Sequence, residues 1–550
     1  MIRYRTSFTL FCCLALFLFT LGAAQANQLH PVSGAYFTSE VDLRVAARGV
    51  PMVWERTYRS NRTLLKFENP DSKSYEYVAP IDGPLGFGWH TPFTMRIWKN
   101  AAIVSDPAYN CDALVDSDGR IIYFPKDAAG NTQPDYANGY TLSGGNNGGN
   151  YTLTQRGGNS WTFDNNGKLL VINDPLGRSA TLTYNGDTLT EIKDAAGRTI
   201  YTLSWTGNHI TKITDLTGRS ITYDYDNGNL NTVNHLDPAT QTPETLFSYS
   251  YNATHGLTAN KNAINETWRI NYRYPPSQGI AVSLTDPAAN STVQNLDNTG
   301  TMVTVKDPAG NSRTQTRNEE GQLIGEQDHT GSKTLTVGYL GGGARILSDA
   351  DGNTTKEYRD LWDNLTKRID PEGGITQYSY NTNGKPTNIT DAENVTTTIT
   401  YDASGSLPTQ ITRAQGTADQ TTTQFSYTSD GDLKDTTTDG STTTFSYNSA
   451  GLPLTITDPE GNVTTLTYDS TGNLTTSTDA TGNKTEYSYD WRGNLLTAKD
   501  AEGNLTSYSY NGAGRLQTVT DPKGNITSTS TDFAGRILSI AAPSGTTSFS

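Results

Sequence analysis

The chain has 550 residues, of which 18% are charged and 34% hydrophobic, and its formal charge is −15. An apolar share this low, made up by Thr, Ser, Asn and Gly, suits many short strands and exposed turns, and the acidic balance argues against a phosphate-binding surface, so no nucleic acid is expected as a partner. Of three cysteines, Cys12 and Cys13 fall in the first apolar run, which leaves Cys111 alone and excludes an intramolecular disulfide in the remainder.

Residues 1–26 read as a signal peptide. Arg3 and Arg5 precede an apolar run over 8–21, and Ala24-Gln25-Ala26 places small residues before a cleavage site. The run is shorter than the ~20 residues a membrane span needs. No later run is long enough either. The expectation is a secreted or cell-envelope protein with no membrane span once the signal is removed.

Residues 27–165 read as a β-rich N-terminal domain. Val41-Asp42-Leu43-Arg44-Val45 and Val53-Trp54-Glu55-Arg56-Thr57-Tyr58 alternate as half-buried strands do. Large aromatics also gather in Gly83-Pro84-Leu85-Gly86-Phe87-Gly88-Trp89. The glycine- and asparagine-rich run over 144–150 lacks the Lys-Ser/Thr that ends a phosphate loop, and it reads as a turn.

Residues 166–550 read as a repeat array. Asp458, Asp479, Asp500 and Asp521 are 21 residues apart, and each opens a phrase Asp-Pro/Ala-x-Gly-Asn. Tyr468, Tyr489 and Tyr510 keep that spacing, as do Gly472, Gly493 and Gly514. In such a phrase the aspartate bonds its own turn and the glycine tolerates positive φ, so each period has two turns. Between them lie β-branched and aromatic runs of strand length, 463–468 and 474–478. Each repeat is therefore a β-hairpin, and successive hairpins extend one antiparallel meander with the tyrosines in a row on one face.

The phrases begin at Asp174, Asp194 and Asp215, slip between Asp237 and Asp286, and recover through Asp391; a second surplus is assigned to a surface loop over 414–420. Some thirty-six strands would far exceed the ~10 that an open twisted sheet accommodates, so the meander is expected to curl into a spiral or partial hollow shell. The array stops in mid-strand at Ser550, so either the chain is a fragment or something else covers that edge.

Tyr223-Asp224, Tyr401-Asp402, Tyr468-Asp469 and Tyr489-Asp490, each with a glycine close behind, resemble the YD repeats of bacterial Rhs proteins. The earlier block, with Arg48-Gly49-Val50-Pro51, Arg56-Thr57-Tyr58-Arg59-Ser60 and Gly83 to Trp89, is similar to the domain that precedes those repeats in that family. The resemblance implies a sheet spiralled into a hollow shell that encloses a toxic polypeptide in polymorphic-toxin systems, or presents a surface for cell contact. It makes Tyr401, Asp402, Tyr468, Asp469, Gly472, Tyr489, Asp490, Gly493, Tyr510 and Gly514 structural repeat positions. The sequence departs from the family in having no core segment with self-cleavage phrases and no toxin domain after the repeats. Self-processing is not expected of it.

Chemistry finds little footing. His30, His90, His209, His235, His255 and His329 are scattered, with no pair at metal-ligand spacing, and no Gly-x-Ser-x-Gly occurs. Cys111 reads as a packed thiol. Asp-Pro phrases such as Asp307-Pro308 and Asp521-Pro522 recur as the repeat's own turn, and one carboxylate per turn is too few for calcium. The reading is an exported scaffold with no catalytic residue, metal or cofactor, tied to toxin delivery or intercellular competition. Its alternative is an adhesion module that holds a cell-surface glycan with solvent-facing tyrosines such as Tyr468.

Overall fold

Two kinds of turn alternate along the chain, and their chemistry builds the fold. At Asp458 one carboxylate oxygen accepts the amides of Glu460 (3.0 Å) and Asn462 (2.8 Å), while the other takes the Asn462 side chain (2.8 Å). Gly461 closes that turn at φ +87°, a conformation that a side chain would strain. The turn at Asp469 is bonded in the same way.

The structure, a computed structural model, describes residues 28–29 and 35–549 apart from 61, 70–71, 79–81, 100–110, 128, 137, 146–147, 238–239, 273–280, 297–301, 308, 319–321, 342 and 534. The signal-peptide reading of 1–26, with Cys12 and Cys13, and His30 lie outside the described residues. No helix among the described residues is long and apolar enough to cross a membrane.

From Tyr140–Gly144 to Gly545–Ser548 the strands form one 39-stranded antiparallel sheet in unbroken sequence order, all-β and not closed into a barrel. It begins upstream of the first repeat phrase. The Asp-Pro type of turn lies along one edge and the Tyr-Asp type along the other. Residues 414–420 form the connection between Pro408–Arg413 and Thr421–Tyr427, as the surplus implied.

Curvature has a local cause. At a Tyr-Asp turn the register shifts just before the tyrosine, at Tyr401, Tyr468, Tyr489 and Tyr510, because the outgoing strand holds one extra residue there, Thr409, Thr475, Leu496 or Gln517. A bulge bends its strand and increases local twist. Repeated on the same edge of hairpin after hairpin, it bends the wall in one sense.

The wall consequently returns to itself. Arg178 donates to the Asp430 carbonyl (3.0 Å) across 252 residues, and Arg515 holds Glu266 through two bonds of 2.7 Å across 249. One circuit is thus close to twelve of the 21-residue periods. The Asp-Pro edge of the first circuit sits on the Tyr-Asp edge of the next.

Inside the first circuit lies the N-terminal block. It has a four-stranded sheet (Gln28–Leu29, Tyr36–Val45, Met52–Arg59, Trp89–His90), a hairpin (Arg62–Asn69, Ser72–Val78) and a three-stranded sheet (Arg96–Trp98, Cys111–Val115, Ile121–Pro125). Trp54, Tyr58, Trp89 and Phe93 are buried in one core with Tyr201, Tyr223, Ile210 and Ile221 of the wall. Beyond residue 375, Ile456 and Leu466 are the only fully buried apolar side chains described. The block fills the wall's face from Tyr140 to Ile270, and further along few apolar side chains among the described residues are buried.

Candidate functional site

Where the block meets the wall, Arg56 and Asp42 form an ion pair with both side chains wholly buried. Arg56 Nη2 donates to Asp42 Oδ1 (2.9 Å) and Nη1 to the Tyr249 hydroxyl (3.1 Å), and the Tyr223 hydroxyl donates to Asp42 Oδ2 (2.6 Å). Burial opposes the guanidinium charge, but Asp42 and Tyr249 hold its pKa well above the usual value. Removing one member of such a pair strands the other, a cost of about 3–5 kcal/mol. Two wall tyrosines are thereby locked to the block, and Tyr201 adds bonds to the Met52 (2.8 Å) and Leu43 (3.3 Å) carbonyls.

The tyrosines before the Tyr-Asp turns have a common task. Tyr184, Tyr225, Tyr272, Tyr380 and Tyr401 each donate a hydroxyl bond of 2.7 or 2.8 Å to a carbonyl 15 residues back, in the preceding hairpin. Tyr468 and Tyr489 occupy the same place on their strands, and burial pushes both hydroxyls up to about 12. Tyr510 is raised for the same reason. The rings of Tyr401, Tyr468, Tyr489 and Tyr510 are half-buried.

The other repeat residues sit in the turns. Asp402 accepts the amides of Ser406 and Leu407 (both 3.0 Å); Asp469 accepts those of Thr471, Gly472 and Asn473 at 2.8–2.9 Å; Asp490 accepts those of Arg492 and Asn494. Gly472, Gly493 and Gly514 have φ of +101°, +88° and +76°. One sequence phrase is displaced. Asp224 pairs in mid-strand with Thr232, and the turn-bearing pair there is Tyr225-Asp226, two residues on.

Between circuits runs a seam. The loop after Tyr36–Val45 wedges into it: Ala46 donates its amide to the Thr471 carbonyl (2.9 Å), and Arg48 pairs with Asp430 and with Asp432 (2.9 Å). From the wall, Arg198 reaches the Ala46 carbonyl (3.1 Å), and Arg219 bridges those of Arg44 and Trp491 (2.7 Å each). His235 stacks on Trp491 at 3.7 Å between centroids.

A family model described as Teneurin YD-shell matches residues 331–478, one described as RHS Repeat matches 468–503 and 489–526, and a domain of unknown function, DUF6531, matches 26–124. The matched repeats are those whose tyrosines and turns are described above. Residues 331–526 carry YD-shell and RHS repeats.

No curated protein matches it. Among solved structures, the one titled "Crystal Structure of TcdB2-TccC3" aligns at 12% identity over 92% of this chain and 37% of that one, with a TM-score of 0.40. A Photorhabdus luminescens Tc holotoxin pore aligns at 12% over 93% and 32%, with a TM-score of 0.28. BamB from Moraxella catarrhalis aligns at 12% over 56% and 96%, with a TM-score of 0.10. The chain spans 31% to 37% of the length of the TcdB2-TccC3 chains it aligns with.

Among the described residues no three of His, Cys, Asp and Glu converge as metal ligands would. Cys111 is buried, and burial pushes its thiol up to about 11, away from the thiolate a nucleophile needs. What sequence reasoning missed is the bulge and the seam. The tyrosine spacing hinted at the first; the arginines of Asp174 to Arg178, Asp194 to Arg198 and Asp215 to Arg219, where later turns end in Asn, were the signal for the second.

Proposed function

We propose that this chain is a partial shell whose lined interior encloses a polypeptide, exported through residues 1–26 and serving toxin delivery or intercellular competition, with no catalysis of its own. The observation that carries the reading is the asymmetry of the wall's inner face. From Tyr140 to Ile270 it is buried under the N-terminal block, while beyond residue 375 Ile456 and Leu466 are the only buried apolar side chains among the described residues, over a continuous sheet with no break in strand order. The match to a YD-shell model supports it. An aromatic row for glycan is less well supported, because ring hydroxyls such as that of Tyr401 are spent on the neighbouring hairpin. Residues 27–165, whose last three strands already belong to the wall, would form and seat the plug, and residues 166–550 the rest of the wall.

The test is proteolysis. With this chain co-expressed beside the polypeptide encoded next to it, that polypeptide should resist protease while the free form is digested. Equal digestion rates would contradict enclosure. Amino-terminal sequencing of exported protein should begin at Asn27 if the signal reading holds.

A further inference from the structure

One stretch of the inner face breaks the aromatic pattern. Directly paired residues project to the same side of a sheet, so the register can be followed across strands. Gln315 faces Glu326, Tyr339 faces Arg345, Arg345 faces Glu357, and Glu357 faces Arg368. Arg368 in turn faces Thr376, whose strand carries Tyr378 and Tyr380 on that side. Five arginines therefore share the face of the row tyrosines: Arg313, Arg317, Arg345, Arg359 and Arg368. From Thr421–Tyr427 to Leu516–Thr520 the paired positions of this face hold no charged residue.

Arg317 and Arg359 stand at the strand-end bulge, where Tyr380 and Tyr401 stand in the repeats that follow. Tyrosine satisfies the fold there, so packing does not require arginine. Arg317 donates to Gln315 Oε1 (3.3 Å), and acids on this face meet only some of the other arginines. Glu326 takes Arg313 and the Gln315 amide (2.8 Å), and Glu357 takes Arg345 (2.7 Å) and Arg359 (3.0 Å), which also lies 3.5 Å from Asp363. Arg313 remains 62% exposed, and Arg368 is exposed with no ion pair among the described residues. A basic stripe thus faces inward on a chain of charge −15.

We propose that this stripe binds an acidic segment of an enclosed polypeptide; the proposal rests on the reading of the wall as an enclosure. Guanidinium forks match discrete carboxylates in bidentate fashion. Glu326 and Glu357, set among the arginines, would repel a continuous phosphate backbone, which favours peptide over nucleic acid.

The experiment uses the full chain and a short labelled poly-glutamate peptide, followed by fluorescence anisotropy at low and moderate salt, with a single-stranded oligonucleotide as the second probe. The variant Arg317→Tyr/Arg359→Tyr/Arg368→Ile uses residues found at the matching positions of nearby repeats, Tyr380, Tyr401 and Ile389, and Lys484→Thr/Lys499→Thr on the opposite face is the control. Expected are salt-sensitive peptide binding, about tenfold weaker in the triple variant, and no change in the control. Unchanged binding in the triple variant, no binding at all, or tighter binding of the oligonucleotide overturns the proposal. Small-angle scattering on the same samples separates the two levels: a hollow profile without peptide binding sinks the stripe alone, whereas a profile with no interior sinks the enclosure beneath it.

Discussion

Single carboxylates and hydroxyls carry the repeat. At Asp479, hydrogen bonds from Thr481 and then Asn483 hold the carboxyl down to about 2, and Asp458, Asp500 and Asp521 are lowered chiefly by their own asparagines. A carboxyl whose folded pKa is depressed contributes stability above its unfolded value, near 3.8, and loses it as pH falls through the folded one. Circular dichroism should therefore show the wall unaffected above about pH 4 and loosening from there toward about 2, and Asp479→Asn should make that dependence shallower. Tyr401→Phe removes one hydroxyl bond and should lower stability by about 0.5–1.5 kcal/mol in denaturant titration. Arg56→Ala leaves Asp42 buried without its partner and should cost about 3–5 kcal/mol, with hydrogen exchange rising over 36–58 and 221–249. The turns were legible in the sequence because Asp, Pro, Gly and Asn each have a local reason to be where they are. The cluster around Arg56 was not, since Tyr249 and Tyr223, which complete it with Asp42, lie in strands distant along the chain.

At the scale of hairpins and loops, edge chemistry decides how the wall stacks on itself. The strand count and the alternation of turns could be read from the 21-residue period, but an isolated repeat does not reveal which edge meets which, because that depends on curvature summed over a whole circuit. The seam beside His235 offers a pH-dependent handle. Burial, foremost, lowers its pKa below the ordinary 6.5, with Glu244 and Asp237 opposing and Arg492 and Arg219 reinforcing the shift. A histidine kept neutral by the fold loses its contribution as pH falls below 6.5 toward its folded pKa, where the buried ring must charge against Trp491. Protease sensitivity of the 469–494 turns should rise over that window in the native chain and stay flat in His235→Phe, which keeps the stacked ring. An identical rise in both would show that the seam loosens for another reason.

For the whole molecule, the central claim is that the sheet coils, so that a turn late in the chain seats on one a full circuit earlier. A flat stack of hairpins would have the same strand order and the same turns, and local probes cannot tell the two apart. Ala263, in an Asp-Pro-edge turn of the first circuit, and Gly512, in a Tyr-Asp-edge turn of the next, can. A Cβ on Gly512 would lie 3.5 Å from that of Ala263, inside the ~3.5–4.5 Å range a disulfide spans, and Gly512 has no positive φ to strain a substitution. Oxidation of dilute Ala263→Cys/Gly512→Cys protein, read by non-reducing gel and peptide mass spectrometry, should give an intramolecular 263–512 bridge in nearly every chain. Free thiols at positions 263 and 512, or bridges formed only between chains, would contradict the coiled wall.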